Sequence, residues 1–329
     1  MDPGRTGIVI VTYNSAGVIG PCLDSCLAAG VSEIVVVDNA SEDGTVAEVR
    51  RRPSVCCLVN TGNAGFAAAV NQGIAALEAD YILILNPDAR LLTGLGPLCD
   101  AASEGGASCG LLLGTDHLPQ AGFTFRRLPD ALTLVFETLG VNRLWPGNPV
   151  NRRYRCLDAN LSRPALVEQP AGAFLMVRRD AWEAVGGLDE QFHPIWFEDV
   201  DFCKRLLEAG YCIRFLPSVT ALHEGGHSAG RISWECRQQY WYASLLKYAA
   251  KHFQPVTLRL VCVAVMSAAV PRLLTEVPRK GITNSFAVYV RVVRLAGQFF
   301  ARGGSPSVAY PAAQGQAQRL AKTSSSTGS

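Results

Sequence analysis

No G-x-G-x-x-G follows the first strand-like run of this sequence, and no G-x-x-x-x-G-K-[ST] occurs anywhere in it. A dinucleotide dehydrogenase or a P-loop phosphotransferase is therefore unsupported. Long hydrophobic runs are lacking too. Leu260–Val270, between Arg259 and Arg272, falls short of the about 20 residues that a membrane-spanning helix needs. The early run Gly7–Val11 is too short for a secretory signal and gives way at once to Thr12-Tyr13-Asn14. Eleven cysteines show neither a disulfide framework nor metal-like spacing, Cys22/Cys26 and Cys56-Cys57 included, so reduced thiols are expected. Charged residues make up only 18% of the 329 residues. What is present, 49% hydrophobic residues and 31 glycines without a period, excludes disorder and collagen and allows one large or two ordinary domains.

The net charge of +2 is unevenly spread. From Cys236 onward, 12 Lys/Arg face one acid, Glu276, so this stretch carries +11 and the rest of the chain −9. Such asymmetry points to a polyanion for the C-terminal third, a membrane surface or nucleic acid. Phe286, Val290, Val293 and Phe300 alternate with Arg291, Arg294 and Arg302 at helical spacing, which suits an amphipathic helix in a headgroup region. Interleaved charge and the absence of a binding motif argue against nucleic acid. A plain helical cap or a homodimer contact is the alternative.

The first ninety residues alternate strands and helices. Ile8–Val11, Ile34–Val37, Val55–Val59 and Tyr81–Leu85 read as buried strands, with helices over Val18–Ala29, Thr45–Arg52 (Ser41 as N-cap) and Phe66–Leu77 between them. Uniformly apolar strands with intervening helices predict a mostly parallel sheet covered on both faces, whose ligands sit beyond the carboxyl ends of the strands. Those ends carry Thr12-Tyr13-Asn14, Asp38-Asn39, Asn60 and Asn86-Pro87-Asp88. Residues 115–165 give no clear pattern. Ala171–Val177 then reads as a strand, Asp180 caps a short helix, Glu198–Ala209 is a helix and Cys212–Leu216 a strand. Helical, basic sequence starts near Trp234, and the last residues, 304–329, read as a disordered tail.

Asp38 and Asp88 each suit a turn. Equally, Asp38 suits accepting a pyrimidine N3–H, and a strand-tip Asp88 suits a hard divalent cation that keeps phosphate oxygens as its other ligands. Asn60-Thr61-Gly62-Asn63-Ala64-Gly65-Phe66 feeds a helix N-terminus, where free N–H groups favour anions. His223-Glu224-Gly225-Gly226-His227 has the H-E-x-x-H spacing of zinc proteases, but two central glycines make the required helix costly by about 2 kcal/mol against Ala. Glu198, Asp199 and Asp201 lie within four positions, beside Phe192, Trp196 and Phe197. An acidic helix start explains one or two of these carboxylates, and aromatic faces next to carboxylates suit holding a sugar and deprotonating its hydroxyl.

Together, Thr12-Tyr13-Asn14, Asp38 to Thr45, Asn63-Ala64-Gly65-Phe66, Asn71-Gln72-Gly73, Asn86-Pro87-Asp88, Gly172-Ala173-Phe174, Gly186 to Glu190, Phe197 to Asp201 and His223 with Gly225-Gly226 stand in a specific order. In that order the chain resembles family 2 glycosyltransferases over about residues 6–230, and especially the bacterial rhamnosyltransferase branch. The resemblance implies a GT-A fold, a Rossmann-like sheet flanked by helices with a C-terminal helical extension. The transferase would occupy residues 1–235, with a nucleotide-sugar half over about 1–115 and an acceptor half over about 165–235. The basic helical extension would occupy 236–303.

It further implies inverting transfer from a nucleoside diphosphate sugar, with dTDP-rhamnose as the first candidate, to a glycan or polyprenyl-linked acceptor of the cell envelope. Asp38 would contact the base, and Thr12 and Tyr13 would line its pocket. Asn14, Asn63, Gly65, Asn71 and Asn86 would complete the donor site. Asp88 and His223 would hold Mg²⁺ or Mn²⁺, although the family's D-x-D reads Asn86-Pro87-Asp88 here. Asp199 would be the general base, its proton affinity raised by Glu198. Trp196, Phe197 and Asp201 would meet the acceptor. A cytoplasmic enzyme held at the inner membrane face follows, and an inactive nucleotide- or glycan-binding relative is the alternative.

Overall fold

The structure, a computed structural model, describes residues 5–226, 230 and 232–304. Apart from Gly304, the C-terminal tail lies outside them. Strands β1 (Thr6–Thr12), β2 (Glu33–Asp38), β3 (Cys56–Val59) and β4 (Tyr81–Leu85) alternate with helices α1 (Ile19–Ala28), α2 (Thr45–Arg50) and α3 (Phe66–Ala75). The chain continues through β5 (Ala89–Leu91), α4 (Gly96–Gly105), β6 (Gly106–Leu113) and β7 (Phe125–Arg126). Residues 115–165 then hold α5 (Ala131–Leu139), α6 (Val141–Leu144) and α7 (Pro149–Tyr154), helices whose short length hid them from a periodicity reading. After β8 (Ala165–Val167), β9 (Gln169–Pro170) and β10 (Phe174–Arg178) come α8 (Arg179–Val185), α9 (Glu198–Glu208) and β11 (Cys212–His223). Three long helices close the described chain: α10 (Trp234–His252), α11 (Pro255–Lys280) and α12 (Ile282–Arg302).

The main sheet has the order β3-β2-β1-β4-β10-β6-β11-β5, with β8 also on β11, and β7 pairs β9 in a small second sheet. The first four strands are mutually parallel, and β10 runs antiparallel between β4 and β6. Period-two alternation sorts the strand residues onto two faces. Ile8, Ile10, Ile34, Val36, Leu83 and Leu85 join one core, and Val9, Val11, Val35, Val37, Ile82 and Ile84 the other. Gly73 lets α3 lie directly on the sheet, since a Cβ there would stand 2.6 Å from Val9 Cγ1. Two local expectations fail. Helix α2 starts from Gly44 without a side-chain cap, because the Ser41 hydroxyl is spent on Asp38. Asp180 lies inside the first turn of α8, paired with Arg178.

A third core overrides the boundary expected at 235/236. Tyr242, Leu245, Leu246 and Tyr248 of α10 pack with Leu258, Val261 and Val265 of α11 and Val292 and Phe299 of α12, around Phe192, Phe197 and Val200. The C-terminal helices thus complete the fold instead of extending from it. The short run Leu260–Val270 belongs to the 26-residue α11, which by length and composition is long and apolar enough to cross a membrane. A third of its most apolar window is buried against the rest of the chain.

Asp201 fastens α9 to α10. Its carboxylate is fully buried and accepts from Arg205 Nε at 2.8 Å, and both Lys251 Nζ and His252 Nε2 reach its other oxygen at 2.7 Å. Burial opposes the charge, yet His252, Lys251 and Arg205 outweigh it and bring the pKa down to about 2. Asp201→Ala strands these cations and should destabilise the protein by about 3–5 kcal/mol in chemical denaturation. Because the folded pKa is depressed, the carboxylate's contribution is present above its unfolded value of about 3.9. It should be lost as pH falls from there through about 2, a slope that Asp201→Ala lacks.

Candidate active site

A cavity of about 820 Å³ opens at the carboxyl ends of β1 and β4, walled by the segments before β10 and α9, the end of β11 and the start of α10. Thr12 and Tyr13 line it from β1, with Asn39 and Asn63 beside them. Asp38 does not. Its fully buried carboxylate accepts from the Thr12 hydroxyl at 2.7 Å, the Ser41 hydroxyl at 2.6 Å and the Ser41 amide at 2.8 Å. It locks β1 to the 38–45 loop and stands behind Thr12, outside the cavity lining in which it was expected. Asn14 does related work from a left-handed backbone (φ 52°), accepting from the Glu42 amide and donating its own amide to Ser41.

The N-terminus of α3 is also spoken for. Gly65 adopts φ +86°, and a Cβ there would stand 2.7 Å from His193 Nδ1. The Phe66 amide donates to the Pro194 carbonyl at 2.8 Å, and Asn63 Oδ1 accepts from the Gly65 amide. The first two amides at this helix start are therefore taken by the protein itself. Asn71 stands outside the cavity lining as a clamp, donating to the Leu188 carbonyl and Glu190 and accepting from the Leu188 amide. It joins α3 to the glycine turn after α8, which corrects its expected place in a donor site.

On the opposite wall, Asp88 and His223 come together. Both are nearly fully buried, with His223 Nε2 3.5 Å from Asp88 Oδ1 and 3.3 Å from Asn86 Nδ2. Gln120 fixes the imidazole. Its amide nitrogen donates to the His223 carbonyl at 2.8 Å, which turns its oxygen toward His223 Nδ1 at 3.1 Å. Nδ1 is thereby assigned the proton, and Nε2 keeps a lone pair beside Asp88. Burial lowers the His223 pKa against the pull of Asp88 and Glu224, favouring the neutral ring. A neutral imidazole nitrogen and a carboxylate oxygen at this spacing form a two-donor set suited to a divalent cation that takes its remaining oxygens from phosphate and water. No group of three His, Cys, Asp or Glu able to hold a metal occurs among the described residues. The H-E-x-x-H reading fails physically, since His223 ends a strand and Gly225 and Gly226 take φ of 80° and 75°, not a helix. His227 lies outside the described residues.

The three carboxylates of α9 part company. Asp199 Oδ2 accepts from Gln169 Nε2 at 3.1 Å and the Gly172 amide at 3.2 Å, and Asp199 lines the cavity. Glu198 lines it as well, 5% exposed, with Oε2 lacking a partner among the described residues, as does buried Gln169 Oε1. Asp201 points the other way, into its Arg205–Lys251–His252 cluster. The helical turn separates it from Asp199, so it does not meet an acceptor. Burial raises the Asp199 pKa, against hydrogen bonds from Gly172 and Val200 and the charge of Arg126. Glu198 is raised well above the ordinary carboxylate range, by burial first and the Asp199 charge second. The like-charge effect expected at Asp199 thus falls on its neighbour. Trp196 and Phe197 line the cavity from left-handed backbones (φ 78° and 71°).

Sequence reading missed several wall residues, Phe123, Arg126, Gln169, Tyr240 and Trp241, and Gln120, which holds His223 from behind. Only the aromatic string Tyr240-Trp241-Tyr242 offered a signal.

Residues 7–148 match the model of Glycosyl transferase family 2 and residues 153–312 that of Glycosyl transferase family group 2. The chain is 34% identical over 249 residues to the N-acetylglucosaminyl-diphospho-decaprenol L-rhamnosyltransferase of Mycobacterium tuberculosis, covering 68% of this chain and 77% of that one. It is 23% identical over 234 residues to rhamnosyltransferase WbbL of Escherichia coli, covering 67% and 83%. Among solved structures, GalNAc-T7 with UDP, GalNAc and Mn²⁺ superposes with a TM-score of 0.53 at 16% identity, over 67% of this chain and 44% of that one, a likeness of fold.

Since Glu198 titrates higher folded than unfolded, its contribution to stability is full below the unfolded carboxylate value, about 4.3, and is lost as pH rises toward its folded value. Glu198→Gln removes that penalty. Its Tm should exceed that of the wild type at pH 8 and match it near pH 4, as read by scanning fluorimetry.

Proposed function

The chain belongs to glycosyl transferase family 2, with a GT-A fold, and from that premise we propose that it is an inverting transferase. It moves a sugar, L-rhamnose first among candidates, from a nucleoside diphosphate to a hydroxyl of a polyprenyl-diphosphate-linked glycan. The observation that carries the reading is one cavity with Asp199 on one wall and the Asp88–His223 pair on the other. The donor sugar is taken from what the mycobacterial and E. coli relatives are named for, and the lipid-linked acceptor from the mycobacterial one.

Each group then has a task. Thr12, Tyr13, Asn39 and Asn63 form the nucleoside side of the cavity. Asp88 and His223 Nε2 would hold Mg²⁺ or Mn²⁺ beside the donor diphosphate. A cation bound there supplies neutralisation of the charge that builds on the leaving nucleoside diphosphate. The acceptor hydroxyl lies against Asp199, gives up its proton to Oδ2 and attacks the anomeric carbon, while the bond to the diphosphate breaks on the opposite side. Burial lifts the proton affinity of Asp199, and Gln169 and the Gly172 amide aim it. The unpartnered oxygens of Gln169 and Glu198 suit other sugar hydroxyls, with Trp196 and Phe197 as apolar faces.

Peripheral attachment to the inner face of the cell membrane is part of the proposal. Leu274, Ile282 and Phe286 are 69%, 69% and 58% exposed on α11 and α12, near Arg279 and Lys280. Such apolar side chains with flanking cations suit a headgroup layer.

Asp199→Asn keeps the hydrogen-bond acceptor for Gln169 and Gly172 but not the base. Transfer from a radiolabelled donor should fall by about 10²–10⁴-fold while donor affinity in calorimetry persists. Transfer at the wild-type rate would place the base elsewhere. The full chain should co-sediment with anionic liposomes, less so in high salt, and Leu274→Asp with Phe286→Asp should release it. Truncation is the wrong test, because the C-terminal helices share their core with Phe192 and Phe197.

A further inference from the structure

Arg126 has no task in the reaction as described, yet it stands beside the base. It lies on β7 directly opposite Gln169 of β9, so the two side chains leave the same face of this two-stranded ribbon, and Gln169 in turn holds Asp199. Its Nε donates to the Gly122 carbonyl at 2.8 Å, which fixes the plane of the guanidinium. The rings of Phe123 and Tyr154 flank it at 5.7 and 5.8 Å. Among the described residues no carboxylate forms an ion pair with it, and its charge is felt at Asp199. A half-buried cation held rigid by aromatic faces, and left unpaired in a cavity wall, is arranged for an anion that arrives from outside. Arg155 stands next to it over the Tyr154 ring, oriented by Asn151 and by Glu137 at 3.1 Å, and it too lines the cavity.

The position selects the anion. One face of the Phe123 ring is stacked on His223 at 5.1 Å, so the ring stands between the Asp88–His223 pair and Arg126. The donor diphosphate belongs on the His223 side. On the Arg126 side the cavity wall passes through Tyr154 and Arg155 to Glu137 of α5, and α5 backs onto α11, where Arg272 donates to the Thr138 carbonyl. Helix α11 exposes Leu260, Val270 and Leu274. An acceptor whose sugar rests on Asp199 would carry its anomeric substituent along this wall toward an apolar helix.

We propose that Arg126, assisted by Arg155, binds the diphosphate of the acceptor and so selects sugars carried on a diphosphate-linked lipid, an inference that rests on the transferase reading above. Two cations along the wall match the two phosphates, and Glu137 keeps Arg155 extended toward the same space.

Binding can be read without turnover. Farnesyl diphosphate is titrated into the full-length protein in EDTA, so that the Asp88–His223 site does not recruit the probe through a cation, and the fluorescence of Trp196 and Trp241 reports occupancy. Farnesol is the phosphate-free control. The wild type should bind the diphosphate more tightly than the alcohol. Arg126→Ala should weaken the diphosphate by about 10–100-fold, as for loss of a hydrogen bond to a charged group, and leave the alcohol unchanged. Arg126→Lys should recover part of the loss, and Arg155→Ala should show a smaller one. Equal diphosphate binding by Arg126→Ala and wild type overturns the proposal, as does a wild type that does not distinguish the two probes or a variant that loses both equally. Arg126-dependent diphosphate binding in a protein with no Asp199-dependent transfer would sustain the subsite and sink the transferase reading.

Discussion

Three carboxylates crowd the first turn of α9, and burying them on different sides of one helix is the constraint on which the rest of the structure depends. Asp201 is neutralised by Arg205, Lys251 and His252, which come from the same helix and from α10. That pairing brings the C-terminal helices down onto Phe192, Phe197 and Val200. Glu198 and Asp199, three and two residues before Asp201, are left facing the cavity without a cation bonded to either. An unpaired buried carboxylate raises its own proton affinity. The helix therefore has one carboxylate paired inside the protein and two that face the cavity, divided by helical geometry.

The mixed sheet supplies the facing wall. Parallel strands β1 and β4 deliver Thr12, Tyr13, Asn86 and Asp88 to one end. Because β10 runs antiparallel to β4, its leading residues arrive at that same end, where the Asn86 amide bonds the Ala173 carbonyl and Gly172 reaches Asp199. Strand β11 crosses the sheet to place His223 beside Ala89. The imidazole then depends on Gln120 for its tautomer, and Gln120 lies 103 residues away in sequence. The cavity opens where strands of opposite direction end together.

Packing also explains how several polar residues differ from their sequence reading. Asp38, Asn71 and the amide of Phe66 all looked free to bind a ligand, and each is consumed by the protein. Asp38 pins Thr12 and Ser41, Asn71 pins Leu188, and Phe66 donates to Pro194. A buried polar group left unpaired is costly, so the chain satisfies its own donors and acceptors wherever it can. Six buried side-chain atoms among the described residues lack a partner, and two of them, Gln169 Oε1 and Glu198 Oε2, lie in the cavity wall.

Uniformly apolar strands separated by helices determined, by themselves, the parallel sheet covered on both faces, and the polar residues at the strand ends marked which edge of the sheet holds the site. The ordered set from Thr12 to His223 also identified the family and the pairing of Asp88 with His223. These are local or additive signals: periodicity acts within a few residues, and short motifs keep their order along the chain. Only the tertiary structure decided which carboxylates of α9 face the cavity and which one anchors α10. It alone brought Arg126 and Gln169 to Asp199, and showed α10 to α12 as part of the core. Those outcomes depend on burial and on contacts between distant segments, and neither is written in the spacing of any one of them.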